Sequence, residues 1–138
     1  MTYLVKTLRT FQLIKNKAAE KLDIFEDIVE LGQQILDVPI VAINLVDELD
    51  TVMLAERGLS CSSADRGVTP CSHTILLDKF EPFIVPDTTK DWRFRNNPIV
   101  KGPLNINFYA AFPLRINGFF NDEYFADKCK CLVRCINF

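Results

Sequence analysis

Between Leu22 and Leu36 apolar residues recur at three- and four-residue spacing: Phe25, Ile28, Val29, Gly32, Ile35 and Leu36 fall on one stripe, and Asp23, Glu26, Glu30 and Gln33 face away. The spacing predicts an amphipathic helix laid on an apolar surface. Pro39 is expected to stop it, because the ring cannot continue the hydrogen-bond ladder and pushes the preceding residue out of the helical region. Upstream, Leu4, Leu8 and Phe11 also repeat at helical spacing, which predicts a short basic lead-in helix within residues 1–21. Ile40 to Val46 is apolar on both faces except at Asn44 and reads as a central strand. The acidic turn Asp47-Glu48-Leu49-Asp50 leads to a second strand, Thr51 to Arg57, ended by Gly58, so the two should pair as an antiparallel hairpin.

Residues 59–69 are small and polar and form a loop by composition. Thr69 as N-cap with Pro70 at the first helical position predicts a short helix running to Leu76 or Leu77. Phe83, Ile84 and Val85, bounded by Pro82 and Pro86, predict a short strand, and the prolines and asparagines of 87–107 exclude one regular element throughout. Phe108 to Ile116 is a further strand, with Phe108, Ala110 and Phe112 on one face and Tyr109 and Ala111 on the other; its Pro113 implies a bulge or an edge-like end to the ladder. After Asn117 the composition turns aromatic, charged and cysteine-rich. Within it Cys131, Val133 and Cys135 alternate with Leu132, Arg134 and Ile136, a strand pattern. Three segments result: a basic lead-in at 1–21, the domain body at 22–117, and a divergent tail at 118–138.

A chain of 138 residues is sized for one domain with one core. Its 16 basic and 18 acidic side chains give a net charge of −2, which supplies no general attraction for nucleic acid or anionic lipid. The uneven distribution, basic up to residue 21 and acidic from 22 to 37, reads as solvated helix faces. There is no continuous apolar run long enough for a membrane span and no secretory leader pattern, so the expectation is a cytoplasmic protein. Five cysteines, an odd number, fit reduced thiols better than a disulfide framework. Cys129, Cys131 and Cys135 lie within seven residues but lack the paired spacing and fourth ligand of a structural zinc site, so no metal is expected.

Four phrases, in order, resemble GAF domains: "DVPIVAINLVDE" at 37–48, "TPCSHTILLD" at 69–78, "FIVPDTTKDWRFRNNPIVKGP" at 83–103 and "FYAAFPLRINGF" at 108–119. The likeness is nearest to the GAF modules that precede histidine kinase or nucleotide cyclase modules. It implies an α+β fold: a central antiparallel sheet, helices packed on one face, and on the other a ligand pocket roofed by residues 59–78 and the proline-rich loop. Pocket candidates by position are Asn44, Cys71, His73, Phe94 and Tyr109. Asp87, Asp91, Arg93, Asn97 and Pro98 belong to the family-like loop and are read as structural. Asp and Asn bond their own backbone at turns, and Arg93 is placed to pair with a nearby carboxylate. The family's usual last strand and closing helix are replaced here by the divergent tail, which raises the expectation of a truncated product or of a sheet completed by residues 131–136.

Cys71 falls in the first turn of its predicted helix, where the N-terminus favours thiolate and suits redox sensing or covalent attachment; the alternative is a buried small hydrophobe. His73, the single histidine, is two positions away and so points elsewhere, which disfavours shared metal binding. Ser72 separates the pair, unlike the adjacent cysteine and histidine of bilin-binding relatives, and the signature of the cyclic-nucleotide-binding subgroup is not recognisable. No catalytic residue and no cofactor is assigned. The resemblance implies a non-catalytic sensory module in signal transduction or phosphorelay. It would bind a small molecule and act on a histidine kinase or cyclase output module in another chain. Two alternatives stand beside it: a thiol enzyme of the free methionine sulfoxide reductase type, and a homodimerisation module built through the N-terminal helices.

Overall fold

The computed structural model describes residues 22–46, 49–77, 81–114 and 130–136. The expected basic helix within 1–21, Asp47 and Glu48, Arg115 and Ile116, and Cys129 lie outside the described residues. Helix α1 spans Leu22–Leu36 and the hairpin strands β1 and β2 span Ile40–Val46 and Asp50–Arg57. They are followed by β3 (Ser63–Asp65), the short helix α2 (Cys71–Thr74), β4 (Phe83–Val85), the short helix α3 (Pro98–Lys101), β5 (Phe108–Leu114) and β6 (Lys130–Ile136). All six strands join one antiparallel sheet in the order β3-β2-β1-β6-β5-β4. The last strand in sequence thus occupies the middle of the sheet, between β1 and β5.

The two faces of β1 separate two cores. Val41 and Ile43 pack with Val29 of α1 and with Val38, Leu54 and Ala55. Ile40 and Val46 turn the opposite way and pack with Cys71, Val85, Phe94, Val100, Ile106, Tyr109 and Ala111. A strand whose alternate residues are buried on both sides must be apolar throughout, which is why 40–46 shows no alternation. On β5, Tyr109 and Ala111 join the second core. No bulge accompanies Pro113, and the register with β6 runs unbroken from Phe108 to Leu114. The β4 ladder ends at Ala111, so Pro113 has no strand on that side to which a missing N–H would matter.

Two details correct the sequence expectation. The buried face of α1 is narrower than the stripe: Val29 is fully buried and Phe25 and Leu36 are partly so, but Ile28 and Ile35 are exposed, as is Leu31. Gly32 lies at the helix's contact with β1, because a Cβ there would meet Val41 Cγ1 at 3.4 Å. The helix also ends before Pro39 acts on it. Asp37 adopts a left-handed conformation (φ 48°), and the Val38 N–H donates to the Gln33 carbonyl, closing the last turn. A similar constraint operates at the end of β2. Gly58 has φ +88°, and a Cβ there would lie 2.1 Å from the Pro39 carbonyl oxygen; only glycine lets the hairpin close against the start of β1.

Candidate functional site

The second core carries the polar groups. Thr69 does not cap α2 with its side chain; its hydroxyl instead meets Thr51 of β2 at 2.7 Å, both residues being buried, and that pair holds the segment before α2 against the sheet. The Asn97 side chain fastens the same segment from the other side, with Nδ2 donating to the Val68 carbonyl at 2.8 Å and Oδ1 accepting from the Ile99 N–H to cap α3, whose first position is Pro98. Regular helix in α2 stops at Thr74, although turn-type hydrogen bonds carry on to Leu77. One helical turn is therefore seated on the sheet by hydrogen bonds to the segment that leads into it.

That turn places Cys71 between two strands. Asn44 Nδ2 of β1 donates to Cys71 Sγ at 3.1 Å, and the Tyr109 hydroxyl of β5 donates to the same sulfur at 3.3 Å. Thr74 and Tyr109 share a further hydrogen bond at 3.2 Å. All four side chains are buried, with Asn44 and Tyr109 each 1% exposed. Asn44 Oδ1 is buried and has no hydrogen-bond partner among the described residues. Leaving an amide oxygen unpaired in an apolar core costs on the order of 1–3 kcal/mol. Asn44 sits where the β1–β2 register shifts, between Ile43 and Asn44.

The remaining candidates form an aromatic layer beside the thiol. Phe94, fully buried, meets the half-buried His73 edge-on with centroids 5.1 Å apart, and Phe83 of β4 lies 6.3 Å from His73, 6.3 Å from Phe94 and 6.0 Å from Tyr109. The Arg93 guanidinium sits over both phenylalanine rings, 5.0 and 5.1 Å from their centroids. Asp91 holds it there through a bidentate pair, Nε to Oδ1 at 2.9 Å and Nη2 to Oδ2 at 2.6 Å. Burial and then the Arg93 charge push the His73 imidazole below its ordinary range, so its neutral form is favoured. The hydrogen bonds from Arg93 hold the Asp91 carboxyl low. Asp87, bonded by Lys90 and Thr89, is lowered to about 2.

Asn44, Cys71 and Tyr109 thus converge on one sulfur, Phe94 and His73 line the adjoining layer, and Asp87, Asp91, Arg93, Asn97 and Pro98 shape the loop that carries Phe94. Sequence reasoning missed Thr74 and Phe83. Thr74 was legible as the residue one turn after Cys71, hence on the same helix face, whereas nothing local marks Phe83. A separate shallow groove of about 370 Å³ opens on the other side of the hairpin, lined in part by Glu26, Met53, Arg57 and Cys61. There Arg57 pairs with Glu26, and burial followed by the Glu56 charge pushes the Cys61 thiol up. Among the described residues no group of three or more His, Cys, Asp or Glu side chains is arranged to hold a metal ion, and no helix is long and apolar enough to cross a membrane.

No family model matches the chain. In structure it is similar to the GAF domain of a phosphoenolpyruvate-protein phosphotransferase from Acinetobacter, with a TM-score of 0.60 at 17% identity over 96% of this chain and 75% of that one. The corresponding GAF domain from Coxiella burnetii gives 0.61 at 12% identity, covering 94% and 76%. The GAF domain of Thermosynechococcus elongatus PixJ in its blue-light-absorbing form gives 0.61 at 16% identity, covering 86% and 70%. In sequence the chain is 35% identical over 92 residues to a cyclic di-GMP phosphodiesterase of Pseudomonas aeruginosa, a match that takes in 67% of this chain and 15% of that protein. These superpositions show that the chain has the fold of GAF domains.

Proposed function

We propose that this chain is a non-catalytic sensory module that takes up a small ligand on the α2 face of the sheet and passes its occupancy to an output enzyme of bacterial signalling. The observation that carries the reading is the buried polar cluster of Asn44, Cys71, Thr74 and Tyr109, set in an otherwise apolar core with one amide acceptor left over. A core built only for stability is better served by apolar side chains of the same shape than by a partly satisfied network. A ligand bearing an N–H or O–H donor would pair with Asn44 Oδ1, while Phe83, Phe94 and His73 offer ring faces to a planar group. Entry requires α2 to lift, and a single helical turn held by side-chain hydrogen bonds is a small enough unit to move. Ligand binding then shifts a population between seated and lifted states. The relatives named above include a cyclic di-GMP phosphodiesterase and phosphotransferases, and outputs of that class fit the reading alongside histidine kinases and cyclases.

The test is thermal unfolding of the purified chain with and without a deproteinised small-molecule extract of its host. The reading predicts a dose-dependent rise in Tm that is lost in Asn44→Ala; no rise in any fraction counts against it. The thiol-enzyme alternative is separated by assaying thiol-dependent turnover of free methionine sulfoxide. Turnover abolished by Cys71→Ser would replace the present reading.

A second reading, homodimerisation, is favoured by the outer face of α1. Ile28, Leu31 and Ile35 are 45%, 56% and 71% exposed and lie at three- and four-residue spacing, the seam of a helix pair. Leu31→Glu is predicted to convert a dimer to a monomer in light scattering while leaving the monomer's stability within about 0.5 kcal/mol. A wild-type monomer at high concentration would remove this reading.

A further inference from the structure

A helix N-cap needs only an acceptor, and Ser, Thr, Asp and Asn all supply one. Of these, Asn alone also brings amide donors, and at Asn97 both ends of the amide are in use. Oδ1 accepts from the Ile99 N–H at 3.0 Å and caps α3, while Nδ2 donates to the Val68 carbonyl at 2.8 Å, 29 residues back in the chain. The backbone of the same residue carries more. Its N–H donates to the Phe94 carbonyl, and its carbonyl accepts from the N–H groups of Val100 and Lys101. Asn97 therefore joins the lead-in to α2 to the whole turn of α3.

Neither turn holds by its own ladder. Helices α2 and α3 are four residues each, far below the length of about 12–15 residues at which an isolated helix becomes even marginal. Each depends on what fastens its ends. The lead-in to α2 is tied to the sheet at Thr69, through Thr51, and to the loop at Val68, through Asn97. Helix α3 is tied at its start by the Asn97 cap and onward by the Ile106 N–H, which donates to the Ile99 carbonyl at 3.0 Å. The Thr88 hydroxyl in turn donates to the Ile106 carbonyl, so the seating of α3 extends to the foot of β5.

We propose that Asn97 is a latch through which the seating of α2 sets the order of α3, so that the two turns open and close as one unit. When α2 lifts, the Val68 carbonyl leaves Nδ2, the amide loses the bond that fixes its plane, and the acceptor that caps α3 swings away from the Ile99 N–H. The position of α2 is then registered on the outer surface of the 91–101 loop, where Trp92, Arg95 and Lys101 are exposed. The latch rests on the reading that α2 lifts to admit a ligand, and it names the route by which that movement leaves the site.

Amide hydrogen exchange of the full chain, without any ligand, tests it. In the wild type, residues 69–77 and 98–106 should open with the same equilibrium constant, within about threefold, and both more often than β1. Asn97→Asp keeps the acceptor for Ile99 and removes the donor for Val68; there 69–77 should exchange about tenfold faster while 98–106 stays at the wild-type rate. Thr69→Val loosens α2 from the sheet side. It should accelerate both segments when Asn97 is intact, but only 69–77 in the Asn97→Asp background, a dependence that a merely structural cap would not show. Acceleration of 69–77 alone by Thr69→Val with Asn97 intact would overturn the latch, as would a difference above about tenfold between the two segments in the wild type. The wild-type comparison decides this even if a variant does not fold. A ligand search that fails leaves these rates unaffected, and an exchange pattern that fails leaves the ligand reading standing, so the two are told apart.

Discussion

His73 is held between rings with Arg93 nearby, and its environment sets a pH dependence whose sign can be worked out. Its pKa is lower in the folded protein than in the unfolded chain, where it is about 6.5. Below that pH the unfolded state binds the extra proton, so stability should fall as pH drops below about 6.5 and be level above it. The carboxylates Asp87 and Asp91 are lowered by folding and lose their contribution only when pH falls below about 4, so the two effects separate. Urea unfolding of wild type and His73→Gln from pH 8 to pH 5 checks this; a slope unchanged by the substitution would sink it. Tyr109→Phe removes a hydroxyl that bonds both Cys71 and Thr74 and should cost about 1–2 kcal/mol. At this scale the sequence was informative where chemistry is rare in an apolar context. A lone asparagine in Ile40–Val46 and a cysteine at the start of a predicted turn both turned out to be buried together. It was silent on Phe83, because contact across strands is a property of register, not of neighbours in the chain.

Among the elements, the strands β1, β2, β4 and β5 were legible because burial on one or two faces writes itself as period-two or continuous apolarity. The outer limits of α1's buried face were not. Hydrophobicity alone cannot distinguish a residue that faces the sheet from one that flanks it, and Ile28, Leu31 and Ile35 show the consequence. The β2 terminus offers a sharp test. Gly58→Ala places a methyl against the Pro39 carbonyl at a backbone conformation that L residues resist, and should destabilise by about 2–3 kcal/mol in chemical denaturation. A loss below about 0.5 kcal/mol would mean that the hairpin closes in some other way.

Across the whole molecule, β6 decides how the parts cohere. It pairs with β1 on one side and β5 on the other, so among the described residues it joins the ladder of the β3-β2-β1 half to that of the β5-β4 half. Local alternation at 131–136 was enough to predict a strand, but its central position was not legible there, since pairing between distant segments leaves no local trace. The same strand pairs along β1, the strand that carries Asn44, so the sheet's keystone borders the candidate sensing site. The most direct measurement of the central claim is native mass spectrometry of the chain purified from its own host, beside Asn44→Ala prepared in the same way. The sensory reading predicts a small-molecule mass increment on the wild type that is released on denaturation and is missing from the variant. A bare polypeptide mass in both would contradict it.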